Sequence, residues 1–286
     1  WRPGLATSAR QMMTAARFGL HVIGMRLGEL TAGQVPTVAI GATLGPEATG
    51  LYAVAWKLIE TLSFLLVTPI RQASQSAFAA LMRQGEGAGD LLQDISRLSS
   101  AIAVPFFCGL ALLSGPMVAL VFGAGWESAA PVLAVLSAIG IYLCLARVQV
   151  SFCLAAGAPG PVALVLWVTA GLIAALILFA AGGGISLVAA AVTLAYGLTW
   201  PLLILTTSRL AGLGLLPFVE GILMPLVGSG LMAAALWPLI LFLRDQSPVI
   251  QVALPALAGM GLYLGFALIT MRDRIALFRR YVRAAA

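Results

Sequence analysis

RFGLHVIGMRLGELTAGQVPTVAIGATLGPEATGLYAVAWKLIE, residues 17–60, sets two helical runs of membrane length around the turn LGPEATG and places charges well inside both. A charged side chain near the centre of a bilayer costs about 2.5–3.5 kcal/mol on the lenient insertion scale. Arg26, Glu29, Lys57 and Glu60 are therefore expected to face a protein interior or a wet cavity, and a polar path is the leading idea. Arg26 and Glu29 sit three residues apart on one helix, as do Lys57 and Glu60, so each couple shares a face and can form a local ion pair. Two readings stay open: the charges contact a substrate or a proton, or they pair with each other and simply hold two helices together.

The first of the two runs is unusual as a membrane helix. Gly19, Gly24, Gly28, Gly33 and Gly41 interrupt it, Pro36 should kink it, and Arg26, Glu29, Thr31, Gln34 and Thr37 make it amphipathic. Backbone freed by such a kink is tolerated in a membrane only where neighbouring helices or cavity water satisfy it. The helix is expected to line a cavity, with Pro36 as a hinge. In the second run, Lys57 lies about two turns beyond Gly50, on the order of 10 Å along the helix and rather deep for snorkelling.

Composition agrees with a membrane location. Hydrophobic residues are 61% of the 286, charged residues 9%, and mean hydropathy is +1.05, against roughly 25% charge in a soluble domain. A net charge of +6 and pI of 9.8 would suit nucleic acid, but the basic residues are dispersed at the ends of apolar runs, as positive-inside topology requires, and nucleic acid is not expected as a partner. Eight candidate spans follow from length and breakers: 18–43, 49–72, 98–122, 129–156, 160–181, 184–208, 215–243 and 248–271. The runs are continuous and Leu/Ala-rich, not alternating, so the expected fold is an all-α polytopic transmembrane bundle and not a barrel. The spans at 160–208 and 248–271 carry no internal charge and are expected to be scaffold.

With Trp1 inside, the cytoplasmic ends hold Arg2, Arg10, Arg17, Arg71, Arg83, Arg97, Arg209, Arg272, Arg274, Arg279, Arg280 and Arg283, and the opposite face only Arg244. That asymmetry places both ends in the cytoplasm. The tail RDRIALFRRYVR is either an interfacial helix on anionic lipid or a solvated basic end that fixes topology. The chain begins at Trp1 without an initiator Met or signal pattern, in residues resembling a loop between spans, so a fragment of a longer protein is expected.

Arg147 with Gln149 is either a snorkelling anchor or a cavity residue. His21, close to a helix start, is expected to be packed or interfacial. Trp126 fits an interfacial aromatic, with Glu127 or Ser128 available to cap the next helix and Pro131 in its first turn. Tyr52 and Trp56 are one turn apart, spaced either for inter-helix packing or for stacking on sugar rings. Cys108, Cys144 and Cys153 are expected to be small buried hydrophobes, with neither a disulfide framework nor a zinc site. No G-x-S-x-G elbow, H-E-x-x-H, P-loop or intramembrane Asp pair is present in the sequence, so no enzyme chemistry and no cofactor are expected.

Residues 17–160 also carry an ordered set of segments: IGATLG, GLYAVAWKL, TPIRQASQSAFAALMRQ, FGAGWESAAPVL and LAAGAPG. Together they resemble the second half of Wzx-type polysaccharide exporters, lipid-linked oligosaccharide flippases of the MOP superfamily and relatives of the MATE antiporters. Ile40, Gly41, Leu44, Gly45, Gly50, Leu51, Tyr52, Ala55, Leu58, Gly123, Trp126, Ala130, Pro131 and Leu133 match in place. The resemblance implies the second lobe of a two-lobe flippase at 1–208, two extra C-terminal helices at 209–271, and a basic cytoplasmic tail at 272–286. It implies movement of undecaprenyl-pyrophosphate-linked oligosaccharide across the inner membrane by alternating access, with an N-terminal lobe of the same protein as partner and membrane lipids around it. The cavity residues expected to meet the substrate are Arg26, Glu29, Gln34, Lys57, Glu60 and Arg147, with Lys57 at the family's basic position. Where relatives carry an Asp before IGxxLG, this chain has Pro36. A MATE-like cation or drug antiporter and a non-transporting membrane scaffold subunit remain the alternatives.

Overall fold

The computed structural model of the chain describes residues 8–270, Glu86 and Ala124 excepted. Among them the regular structure is helical throughout: α1 (Ala9–Thr43), α2 (Gly45–Gln84), α3 (Ala88–Leu112), α4 (Ser114–Phe122), α5 (Ala129–Ala155), α6 (Pro159–Ala180), α7 (Ile185–Ala211), α8 (Leu216–Phe242) and α9 (Pro248–Thr270), with a 3-10 turn at Ala181–Gly183 before α7. The expected all-α polytopic bundle is what the chain forms. The basic tail expected at 272–286 lies outside the described residues.

Local chemistry accounts for the helix ends. Ser8 opens α1 with a capping box: its hydroxyl accepts from the Gln11 backbone N–H at 3.2 Å, and Gln11 Oε1 accepts from the Ser8 N–H at 3.4 Å. The turn LGPEATG is tighter than its composition suggests. Only Leu44 separates α1 from α2, and GPEATG is already helical. Gly45 takes φ +84°, a backbone region that favours glycine. Pro46 then falls in the first turn, where its missing N–H costs nothing, and Glu47 favours the positive end of the helix dipole. Gly85, left-handed at φ +80°, ends α2, twelve residues beyond the expected limit of that span. The segment expected at 98–122 is divided at Leu113, after which Ser114, Gly115 and Pro116 make the first turn of α4.

Seven described helices, α2, α3 and α5 to α9, are long and apolar enough to cross a membrane, one fewer than the eight spans expected. The difference is α1: at 35 residues it is long enough, but Arg17, Arg26, Glu29 and Gln34 make it too polar. Large apolar side chains such as Leu178, Phe179, Phe242 and Ile269 point outward, as a bundle in lipid requires.

α5 is the central post. It packs against α2, α3 and α7, and most of its side chains, from Val132 to Cys153, are buried. Gly140 lets the Phe107 ring of α3 approach so closely that a Cβ would sit 2.2 Å from it, and Phe152 meets Phe78 of α2 edge to face at 5.4 Å. α8 docks on α3, and α9 packs on α8 and α4. These two share a small apolar cluster of their own, Met232, Leu236, Tyr263 and Ala267.

Candidate functional site

α1 and α2, joined at Leu44, do not stay together. α1 lies along α6 and α2 along α5, and the two touch each other far less. Two structural details hold α1 to α6: Trp167 donates its indole N–H to the Gly24 carbonyl at 3.1 Å, and Gly28 admits Leu166, whose Cβ would be 3.1 Å from a Cβ at that position. A cavity of about 250 Å³ opens where α1 and α2 diverge, backed by α5, α6 and α7. Met25, Arg26, Glu29 and Ala32 line it from α1, Phe64, Thr68 and Arg71 from α2, Tyr142, Arg147 and Ser151 from α5, and Tyr196 from α7. It lies toward the end of the bundle that carries the α5–α6 turn, since its α5 and α6 residues flank that turn.

Three guanidiniums from three helices therefore converge with one carboxylate. Arg26 Nη1 binds Glu29 Oε2 at 2.8 Å within α1. Arg147 is partly buried, its Nη1 has no hydrogen-bond partner, and it lies within electrostatic range of Glu29, Glu60 and Arg71. Arg26 and Glu29 are 58% and 54% exposed, so the bundle does not enclose them. Facing hydrocarbon, Arg26, Glu29 and Lys57 together would cost roughly 8–10 kcal/mol, comparable with the whole stability of a domain. Water or another polar surface must cover that side.

Lys57 and Glu60 form the second local pair, Nζ to Oε2 at 3.0 Å, and are 76% and 47% exposed. Neither lines the cavity. Their helix begins at Gly45, so Lys57 is roughly 18 Å along it at about 1.5 Å per residue, deeper than a start near Gly50 implies. Lys57, Phe64 and Arg71 recur at intervals of seven, which puts Lys57 on the α2 face that borders the cavity, beyond its rim. Gln34 is exposed and outside the cavity, and Pro36 is buried within a continuous α1, on the face shared with Ala32 and Ile40.

Arg71 is the residue that reading by spans misses. Expected at the end of its helix, it lies well inside α2, because the helix continues to Gln84. The seven-residue spacing from Lys57 was the available signal. Tyr52 is fully buried and stacks on Trp56 at 6.0 Å, Trp56 on Tyr196 at 6.2 Å, and Tyr196 meets Tyr142 at 4.9 Å. That run of rings is inter-helix packing, and only Tyr142 and Tyr196 reach the cavity.

The remaining candidates stand apart from it. His21 is exposed and abuts Gly160 in the first turn of α6. Cys144 and Cys153 are buried and Cys108 partly so, all as free thiols. Trp126 packs on Phe122 at 6.2 Å. Ser128 makes no side-chain cap, and Glu127 turns back to accept from the Gly125 N–H at 3.0 and 3.1 Å. These backbone amides, its own foremost, hold the Glu127 carboxyl below its ordinary pKa of 4.5. Among the described residues no group of His, Cys, Asp and Glu is placed to hold a metal ion.

Comparison with known proteins places this geometry. Residues 1–131 match the family described as polysaccharide biosynthesis protein. The teichuronic acid biosynthesis protein TuaB of Bacillus subtilis (strain 168) is 27% identical over 158 residues, 55% of this chain and 32% of its own length. The succinoglycan biosynthesis transport protein ExoT of Rhizobium meliloti (strain 1021) is 23% identical over 48% of this chain and 28% of its own. For the lipopolysaccharide biosynthesis protein WzxC of Escherichia coli (strain K12) the figures are 26%, 53% and 33%. The chain thus spans about a third of the length of the curated relatives it matches. The solved lipid II flippase MurJ, in an inward closed conformation, superposes with a TM-score of 0.71 at 15% identity, covering 85% of this chain and 52% of that one, which shows a shared fold. The resemblance carried by GLYAVAWKL, FGAGWES and AAPVL is borne out: this is a multi-pass membrane protein similar to polysaccharide biosynthesis and transport proteins, with a fold shared with a solved lipid flippase.

Proposed function

We propose that the chain is part of a transporter that moves a lipid-linked oligosaccharide of the undecaprenyl-pyrophosphate type across the bacterial inner membrane for polysaccharide biosynthesis, by alternating access and without covalent chemistry. The observation that carries the proposal is the convergence of Arg26, Arg71 and Arg147 on one cavity against the single carboxylate of Glu29. Guanidinium forks match phosphate oxygens in charge and geometry, and the Arg147 guanidinium, whose buried Nη1 has no hydrogen-bond partner, is part of the same wall. Thr68, Ser151, Tyr142 and Tyr196 add hydroxyls along the same wall.

In this proposal Arg26, Arg71 and Arg147 contact the pyrophosphate and Glu29 orients Arg26. Lys57, Glu60 and Gln34 continue the polar strip toward the other leaflet, and Pro36 is the hinge of α1. An N-terminal lobe of the same protein covers the exposed charged faces of α1 and α2. The partial span of the matches and the cost of leaving those charges in lipid support that partner. Both ends lie in the cytoplasm, so the cavity belongs to the inner half of the membrane. A cation antiporter would want a carboxylate free to bind its ion, whereas Glu29 is already engaged by Arg26.

Arg71→Ala and Arg147→Ala in the intact exporter test the proposal, each beside its Lys variant. A hydrogen bond to a charged group contributes about 1.5–3 kcal/mol, roughly a 10- to 150-fold loss of affinity. Translocation of the lipid-linked glycan should fall by that order at unchanged protein abundance and recover in part with Lys. Normal translocation in both Ala variants would remove the cavity from the transport path.

A further inference from the structure

A second cavity, far smaller, lies behind α5 on the side away from the Arg-lined one. It measures about 10 Å³ and is bounded by Gln93, Ser96 and Arg97 of α3, Gln149 of α5, Trp200 of α7, and Pro217, Phe218 and Gly221 of α8. Three of the polar atoms on these helices are buried and have no hydrogen-bond partner: Ser96 Oγ, Gln149 Oε1 and Trp200 Nε1. Gln149 is only 2% exposed. A buried polar group left without a partner is costly, and native interiors seldom leave three together.

We infer that this cavity is a binding site for a single structural water that joins α3, α5 and α7 beneath the docking face of α8. The space is of the size that holds one water, roughly 10–15 Å³, and the lining offers the two to four polar partners such a water needs. One water can serve all three atoms, with one of its two hydrogens remaining beyond them. Trp200 Nε1–H and Ser96 Oγ–H donate to the water oxygen, and the water donates one hydrogen to Gln149 Oε1, so all three atoms are satisfied by three bonds. Ser100, one turn along α3 from Ser96, donates directly to the Gly221 carbonyl of α8 at 2.7 Å. The water therefore sits beside a polar contact that ties α8 to α3, where an apolar filling would leave the three atoms stranded.

The test compares signs. Ser96→Ala, Gln149→Met and Trp200→Phe each remove one polar atom while keeping most of the volume. If the water is bound, each variant of the full chain in detergent should melt about 2–4 °C lower. The Gln149→Met/Trp200→Phe pair should then lose clearly less than the sum of its singles, because both remove the same water. If the atoms are simply unsatisfied, deleting them should raise the melting temperature. A rise, or losses that add in full, overturns the proposal. Should the variants fail to fold, an experimental density map of the unaltered protein decides: density bonded to all three atoms supports the site, and a dry cavity overturns it.

Discussion

Lys57→Ala, Glu60→Ala and the double variant separate a substrate contact from a structural ion pair. The Lys57–Glu60 pair spans 3.0 Å, but its side chains are 76% and 47% exposed. With the two lobes enclosing a water-filled cavity, the pair stays hydrated, and such a pair three residues apart on a helix contributes about 0.3–0.5 kcal/mol, less once salt screens it. Set against a domain stability of about 5–15 kcal/mol, losing it should leave abundance nearly unchanged. A charge-assisted contact to a phosphate or sugar is larger, about 1.5–3 kcal/mol, and would appear as a roughly 10- to 150-fold drop in translocation. The expected pattern in the intact exporter is normal abundance with sharply reduced glycan translocation for Lys57→Ala. Lys57→Arg should retain much of the activity, and the double variant should show no rescue. Abundance is read by immunoblot and translocation by the outer-leaflet pool of lipid-linked glycan. Full translocation in the double variant, or a collapse in Lys57→Ala abundance that Glu60→Ala restores, would refute the substrate contact and leave only a helix-pairing role.

Other expectations concern core, topology and pH. Gly140→Val should destabilise by about 1–3 kcal/mol through overpacking against Phe107, whose ring would lie 2.2 Å from the added Cβ; Phe107→Leu in the same chain should restore part of the lost melting temperature. Cysteines placed at Gly183 and Gln246 should label from the periplasm and those at Gly87 and Gly214 should not, and the reverse pattern would invert the orientation. The Glu127 carboxylate holds the Gly125 amide more strongly when ionised, and its pKa is depressed below 4.5. The charge-dependent part of its contribution to the α4–α5 loop is therefore full above the unfolded value and is lost as pH falls through the lower folded one. Protease resistance of that loop should drop with acid in the wild type and be insensitive to it in Glu127→Gln.

Sequence by itself determined the class and most of the helices, because a bilayer demands long apolar runs with satisfied backbones and few other patterns meet that demand. The limits of α5, α6, α8 and α9 fall within one residue of their expected positions, since Gly, Pro and polar residues end those apolar runs abruptly. The pairs Arg26–Glu29 and Lys57–Glu60 were equally legible, for they depend only on helical spacing. The far end of α2 was not. Hydropathy fades after residue 72, yet the helix continues to Gln84, and Arg71 moves from a helix end to the cavity wall. Nor does any local pattern say that α1 leaves α2 for α6. That divergence follows from Gly24 and Gly28 accepting Trp167 and Leu166, a contact across more than a hundred residues of chain. It makes the cavity, and it decides that Arg26, Arg71 and Arg147 share one site while Gln34 and Lys57 lie outside it. Charge could be counted along the chain, but which charges meet depended on which helices packed.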